Sequence, residues 1–150
     1  MIDGVEFDVS DDPDPDDLDR IEGEVRLAAA GATGLGDQRD LAVLVRADGR
    51  LVGGIYGWTW GDACELQSLW IDPTIRGRDL GTRLLSMAED EAARRGCTQI
   101  VIFVHDFQPI ALYERFGFST VGEVAAFPSG SAAIWMRKRV DAQRSAPRHL

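Results

Sequence analysis

The run from Leu69 to Leu85, LWIDPTIRGRDLGTRLL, joins a β-like apolar segment to an amphipathic helix through a turn crowded with arginine and glycine. Few local sequences restrict a fold so tightly. The turn must release the chain from a sheet and at once start a helix, whose first unpaired N–H groups and positive dipole end form an anion site. Gly77 and Gly81 are expected to let backbone N–H groups approach that anion without an intervening Cβ. Arg76, Arg78 and Arg83 add positive charge beside it. The spacing therefore predicts a phosphate-holding turn; an Arg-rich solvated turn between strand and helix is the plainer alternative.

A chain of 150 residues suits one domain, and a domain of this size buries about 68 to 70% of its unfolded surface, enough for a core and a cleft. No apolar run approaches the ~20 residues of a membrane span, and the start is acidic rather than a basic signal peptide. A soluble cytoplasmic protein with no membrane partner is the expectation. Cys64 and Cys97 form no Cys-x-x-Cys pair, and with only His105 and His149 beside them no metal site is expected. Both cysteines read as buried fillers in a reducing compartment.

The net charge of −9 is local. Residues 1–24 hold eleven of the 25 acidic residues and one of the 16 basic ones, so an acidic arm over residues 1–17 and the start of the next helix carries it. The rest is nearly neutral, which argues against a nucleic-acid partner.

Along the chain, Ser10 to Asp17 lacks apolar periodicity and reads as a loop capping the next helix. Leu18, Ile21, Val25, Leu27 and Ala28 recur at near-helical spacing up to a breaker segment at Gly31 to Gly36. Leu41 to Arg46 and Leu51 to Trp60 flank Asp48-Gly49, a hairpin signal, and Cys64 to Ile71 makes a third strand. Leu80, Leu84, Leu85, Ala88 and Ala92 share one helix face through Arg95, with Gly96 as the stop. Ile100 to Val104 reads as a buried strand and Pro109 to Arg115 as a short helix; Phe116 to Val124 and Ala132 to Arg139 form a closing strand pair. A tail follows over residues 141–150. This order predicts an α/β fold with a mixed sheet.

Three motifs carry chemistry. Residues 76–81, Arg-Gly-Arg-Asp-Leu-Gly, resemble the pyrophosphate loop R/Q-x-x-G-x-G/A of the GNAT family of acyl-CoA-dependent N-acyltransferases, with Asp79 at the usual central glycine. Asp tolerates left-handed backbone angles and caps helices well, so the loop is expected to form. Residues 106–118, Asp-Phe-Gln-Pro-Ile-Ala-Leu-Tyr-Glu-Arg-Phe-Gly-Phe, resemble the family's N-x-x-A-x-x-x-Y-x-x-x-G-F, with Asp106 in place of the common Asn, as a cap, and Pro109 in the first helical turn. The strand from Cys64 to Pro73 is similar to the family strand whose backbone pairs with the pantetheine arm, with Leu69 and Ile71 along that arm. The Phe107-Gln108 step, the turn Phe127-Pro128-Ser129-Gly130 and the basic run Arg137-Lys138-Arg139 are also similar to features of one GNAT subgroup.

The resemblance implies a GNAT-like, largely antiparallel central sheet flanked by helices, in a single domain over 1–150. It implies acetyl-CoA as donor, held by Leu69, Ile71, Arg76, Gly77, Arg78, Asp79, Leu80, Gly81, Thr82 and Asp106. It also implies direct transfer to a primary amine on a small molecule or peptide. Tyr113 would protonate the departing thiolate, a small mismatch given a thiol near ~8.5 and a phenol near ~10. Glu65 is the candidate base, directly or through a water, with Gln67 or no side-chain base left open. Trp58, Trp60 and Trp70, with Tyr56, would wall an acceptor pocket or simply pack the sheet, and His105 would titrate or serve structure. A homodimer is a possible assembly. The alternative function is a non-catalytic acyl-CoA-binding or interaction module with a degenerate loop at Asp79.

Overall fold

The computed structural model describes residues 3–141, so His149 and all of the expected tail except Asp141 lie outside the described residues. Two compact units divide at Gly36 and Asp37. The first carries helix α1 (Pro15–Thr33), started as the acidic loop suggests: Asp14 is the N-cap, its carboxylate accepting from the Asp16 N–H, and Pro15 occupies the first turn. The helix runs through Gly31 and stops at the left-handed Gly34, whose N–H donates to the Ala30 carbonyl. None of the described helices is long and apolar enough to cross a membrane.

In the second unit, strands β1 (Arg39–Ala47), β2 (Arg50–Trp60), β3 (Ala63–Ile71), β4 (Gln99–His105), β5 (Ser119–Ala125) and β6 (Ala132–Arg139) form one sheet in the order β1-β2-β3-β4-β6-β5. Every neighbouring pair is antiparallel except β3 and β4. The hairpin at Asp48-Gly49 has both residues at positive φ, 51° and 77°, as the sequence predicts.

Helix α2 (Leu80–Arg94) makes the crossover that a parallel β3–β4 pair requires. Its buried stripe of Leu84, Leu85, Ala88 and Ala92 meets Leu41, Ile55, Cys64, Leu66, Ile100, Ile102 and Met136 from the sheet. Burying side chains of this size is worth about 1.5–3 kcal/mol each for the larger ones. The expected stop holds: Arg95 is the C-cap and Gly96 follows at φ 86°. Glu89 lies on the buried stripe too, satisfied by the Lys138 ammonium at 2.8 Å, which also sits 4.1 Å above the Phe116 ring. Cys64 and Cys97 are both buried and free. Burial and the neighbouring Cys97 push the Cys64 thiol up to about 12, so it stays a neutral filler at physiological pH.

Helix α3 (Ile110–Arg115) is shorter at its start than expected, with Pro109 as its N-cap. Asp106 does not cap it. Its carboxylate accepts the Ala132 N–H at 3.0 Å while its own N–H donates to the Ala132 carbonyl, because β4 and β6 are still close enough to exchange bonds there. The last strand pair begins at Ser119 rather than Phe116, since the N–H groups of Phe116, Gly117 and Phe118 are spent closing α3.

Candidate active site

The site forms where β3 leaves β4. These strands pair only from Ala63 to Leu66 against Gln99 to Ile102, although both continue further. The separation begins at a bulge: Tyr56 opposes Ser68 while Gly57 opposes Leu66, leaving Gln67 as the extra residue. A bulge bends the strand that carries it, and β3 turns away from β4 from this point. A cleft opens between them, lined by Leu66, Gln67, Ser68 and Leu69 of β3, Ile102, Phe103 and Val104 of β4, and Tyr113 of α3.

The backbone facing that cleft follows from ladder arithmetic. The Asp72 N–H donates to the Val52 carbonyl at 2.8 Å, which makes Val52 and Asp72 a bonded pair. Bonded and non-bonded pairs alternate along an antiparallel ladder, so Ile71 opposite Gly53 and Leu69 opposite Ile55 are non-bonded pairs. Their N–H and C=O groups point away from β2, into the gap that β4 has vacated. The Ile71 carbonyl takes the Arg76 Nε at 3.0 Å. Meanwhile the side chains of Leu69 and Ile71 pack on the core, so what they offer the gap is peptide groups.

Beyond Ile71, the carboxylate of Asp72 accepts from both the N–H and the hydroxyl of Thr74, which holds its carboxyl below the usual range and shapes a short 3-10 turn at Pro73–Ile75. Gly77 follows at φ 82° and Asp79 at φ 55°, the left-handed conformation expected of an Asp in a glycine's place. Asp79 is the N-cap of α2 by position, but its side chain makes no cap hydrogen bond. The first N–H groups of α2, at Leu80, Gly81 and Thr82, are therefore not blocked by that carboxylate. Gly81 also has a packing role. It is buried, and a Cβ there would stand 3.0 Å from Leu112 Cδ2, so its bareness lets α3 reach the start of α2. Arg76, Arg78, Thr82 and Arg83 are exposed around this turn.

Tyr113 is 6% exposed, its ring edge-on to Phe118 at 6.1 Å. Burial raises its phenol above the ordinary value, which keeps it protonated at neutral pH. Among the described residues no sealed side-chain oxygen or nitrogen lacks a partner, and the Tyr113 hydroxyl makes no side-chain hydrogen bond, whereas its peptide carbonyl accepts from Phe116 and Phe118. The hydroxyl is therefore not sealed off from solvent, and the residue lines the cleft.

Glu65 pairs in register with Trp58 on β2 and Val101 on β4, one residue before Leu66. Alternation puts its side chain on the face opposite the core, beside the point of separation and not in the cleft lining itself. Burial raises its carboxyl. Trp58 shares that face, while Trp60 opposes Ala63 and Trp70 opposes Gly54, at opposite ends of β3. Seven residues of strand, about 23 Å, separate those ends, so the three tryptophans do not enclose one pocket. Sequence reasoning missed Phe103, Ser68 and Val104 as lining residues; only the register of two distant strands brings them to the gap. Two larger hollows, of about 390 and 650 Å³, flank Arg95, whose guanidinium is already bonded to Glu91, Thr59 and the Asp40 carbonyl.

Residues 6–118 match the family model described as the acetyltransferase (GNAT) family, and the chain belongs to that family, whose members are acyl-CoA-dependent N-acetyltransferases. It is 36% identical over 107 residues to Acetyltransferase Atu2258 of Agrobacterium fabrum, covering 71% of this chain and 78% of that protein. Among solved structures it is similar to one from Agrobacterium tumefaciens, with 33% identity, a TM-score of 0.78, and 90% and 99% of the two chains covered. It shares its fold with an aminoglycoside 6'-N-acetyltransferase solved with coenzyme A, at TM-score 0.61 and 23% identity over 94% and 97% of the chains.

Proposed function

We propose that this protein transfers an acetyl group from acetyl-CoA directly to a primary amine. The observation that carries this reading is the adjacency of two features: the Leu69 peptide groups and the Ile71 N–H turned into an opened sheet, and a phenol without a side-chain hydrogen bond across the cleft. An extended arm bearing amides fits the first as a strand would, and a leaving thiolate needs the second. The turn from Arg76 to Thr82 holds the pyrophosphate through the N–H groups that start α2, with the exposed arginines neutralising charge. Asp106 contributes by tying the end of β4 to β6.

In the transfer, acetyl-CoA supplies the acyl group as a thioester. An amine protonated in solution gives up its proton to Glu65, through a water given where that carboxylate points. The neutral nitrogen attacks the thioester carbon, which the Ile71 N–H polarises, and the carbon–sulfur bond breaks. Tyr113 donates its proton to the sulfur, the acylated nitrogen releases its remaining surplus proton to solvent as the amide forms, and the phenolate recovers a proton from solvent. A raised carboxyl is a better proton acceptor and a phenol held protonated remains a donor, so both displacements suit these roles.

Calorimetric titration with acetyl-CoA and with CoA tests the proposal first, followed by thiol release in the presence of an amine panel. Micromolar binding with amine-dependent release is the expected result; no binding at millimolar ligand overturns it.

A further inference from the structure

Beyond the residues assigned to transfer, the β4 side of the cleft carries an aromatic cluster. Phe103 lines the cleft. Its ring lies 4.8 Å from Trp135 and meets His105 and Phe127 edge-on at 5.6 and 6.3 Å. His105 in turn is stacked between two rings, Phe107 at 5.1 Å and 21° and Phe127 at 5.9 Å and 26°. The two outer rings are 67% and 52% exposed. Apolar rings left in water at the end of a cleft are what a ligand with a flat apolar body would cover.

The wall is held open by the backbone around it. Asp106 and Ala132 exchange two hydrogen bonds of 3.0 Å, the His105 N–H donates to Gln108 Oε1 at 2.7 Å, and the Phe127 N–H donates to the Ser131 carbonyl at 2.9 Å. The backbone that carries these rings is therefore hydrogen-bonded in place before any ligand arrives. Register places the wall relative to the proton acceptor. Glu65 opposes Val101 one strand spacing away, and Phe103 and His105 follow Val101 on the same face, about 7 and 13 Å further along β4. Asp106, the acid between His105 and Phe107 in the chain, accepts the Ala132 N–H, and what the stack itself presents is ring faces.

Resting on the transferase reading, we infer that Phe107, His105 and Phe127, continued to the cleft by Phe103, form the acceptor's recognition wall and select an arylalkylamine. Its ring lies against the stack while its amine reaches toward Glu65.

Two measurements test this separately from transfer. Calorimetry with tryptamine and spermidine in the absence of acetyl-CoA reads the wall alone. Binding of tryptamine that weakens about tenfold in Phe107→Ala and in Phe127→Ala, with spermidine unaffected, supports it. No tryptamine binding at millimolar concentration overturns it, as does an equal loss for both amines. Thiol release with acetyl-CoA then compares the same two amines. A kcat/KM for tryptamine at least about tenfold above that for spermidine, reduced through KM by both variants with the acetyl-CoA dissociation constant unchanged, is the expected result. Equal use of both amines overturns the wall's selectivity, whereas tryptamine binding without any thiol release counts against the transferase reading and leaves the wall standing.

Discussion

Gly57 lies so close beneath the backbone of Glu65 that a Cβ at residue 57 would overlap the Glu65 carbonyl oxygen, and the Leu66 Cα stands only 2.8 Å from that position. The contact sits at the bulge, where β2 and β3 change register and Gln67 is left over. A bare residue on β2 thus allows the distortion that parts β3 from β4.

Gly57→Ala is accordingly expected to be among the most damaging single-methyl changes in the chain. Backbone must move to admit the methyl, at a cost of about 3 kcal/mol. Urea unfolding should show the midpoint falling with an unchanged slope, and acetyl-CoA binding should weaken along with it. A variant as stable as the parent would mean that the bulge does not depend on this contact.

Tyr113→Phe separates chemistry from structure, because the hydroxyl has no protein partner to lose. The melting temperature and the acetyl-CoA dissociation constant should stay where they are, while kcat falls about a hundredfold. Thiol-release kinetics beside calorimetry check both halves; undiminished turnover removes Tyr113 from the mechanism.

Burial raises the Glu65 carboxyl above its unfolded value of 4.5. A group shifted this way stabilises the fold fully below its unfolded pKa and loses that contribution as pH rises through the folded pKa. At pH 7 the ionised carboxylate is a burden, so Glu65→Gln should raise the melting temperature there, with the difference shrinking toward pH 4. The same substitution should slow transfer and abolish the acid limb of the rate profile, whose midpoint in the parent lies above 4.5. An unchanged profile assigns that limb to another group.

Asp79 occupies a left-handed position without using its side chain as a cap. Asp79→Gly keeps the conformation and removes a negative charge beside the start of α2. Acetyl-CoA should bind on the order of fivefold more tightly, the equivalent of about 1 kcal/mol. Calorimetry at two salt concentrations checks the origin, since a charge effect shrinks as salt is added. Equal affinities would show that the carboxylate points away from the ligand.

What local chemistry determines was readable in the residues themselves. Asp48-Gly49 gave the hairpin, Asp14 and Pro15 the start of α1, the Leu84, Leu85, Ala88 and Ala92 stripe the buried face of α2, and Asp79 its left-handed place in the loop. Tyr113 was singled out through its motif, and it lines the cleft. Features that depend on register between distant strands were not readable. The bulge at Gln67 needs Gly57 opposite it, and the aromatic stack draws His105 and Phe107 from one segment and Phe127 from another. Glu89 looks like part of a solvated helix face until Lys138 arrives from a strand 49 residues away. Asp106 misled because its spacing suits a cap, while its partner, Ala132, lies 26 residues on.

The separation of β3 from β4 has a signature in hydrogen exchange. Amides at the centre of a six-stranded sheet are ordinarily the slowest to exchange, since they open only with the whole fold. Here the N–H groups of Leu69 and Ile71 belong to a central strand and yet face a gap. In the free protein they should exchange at the pace of a surface strand, two fast sites flanked by slow neighbours. Side-chain substitution along this stretch would leave that pattern in place, and only a residue without an N–H would erase it.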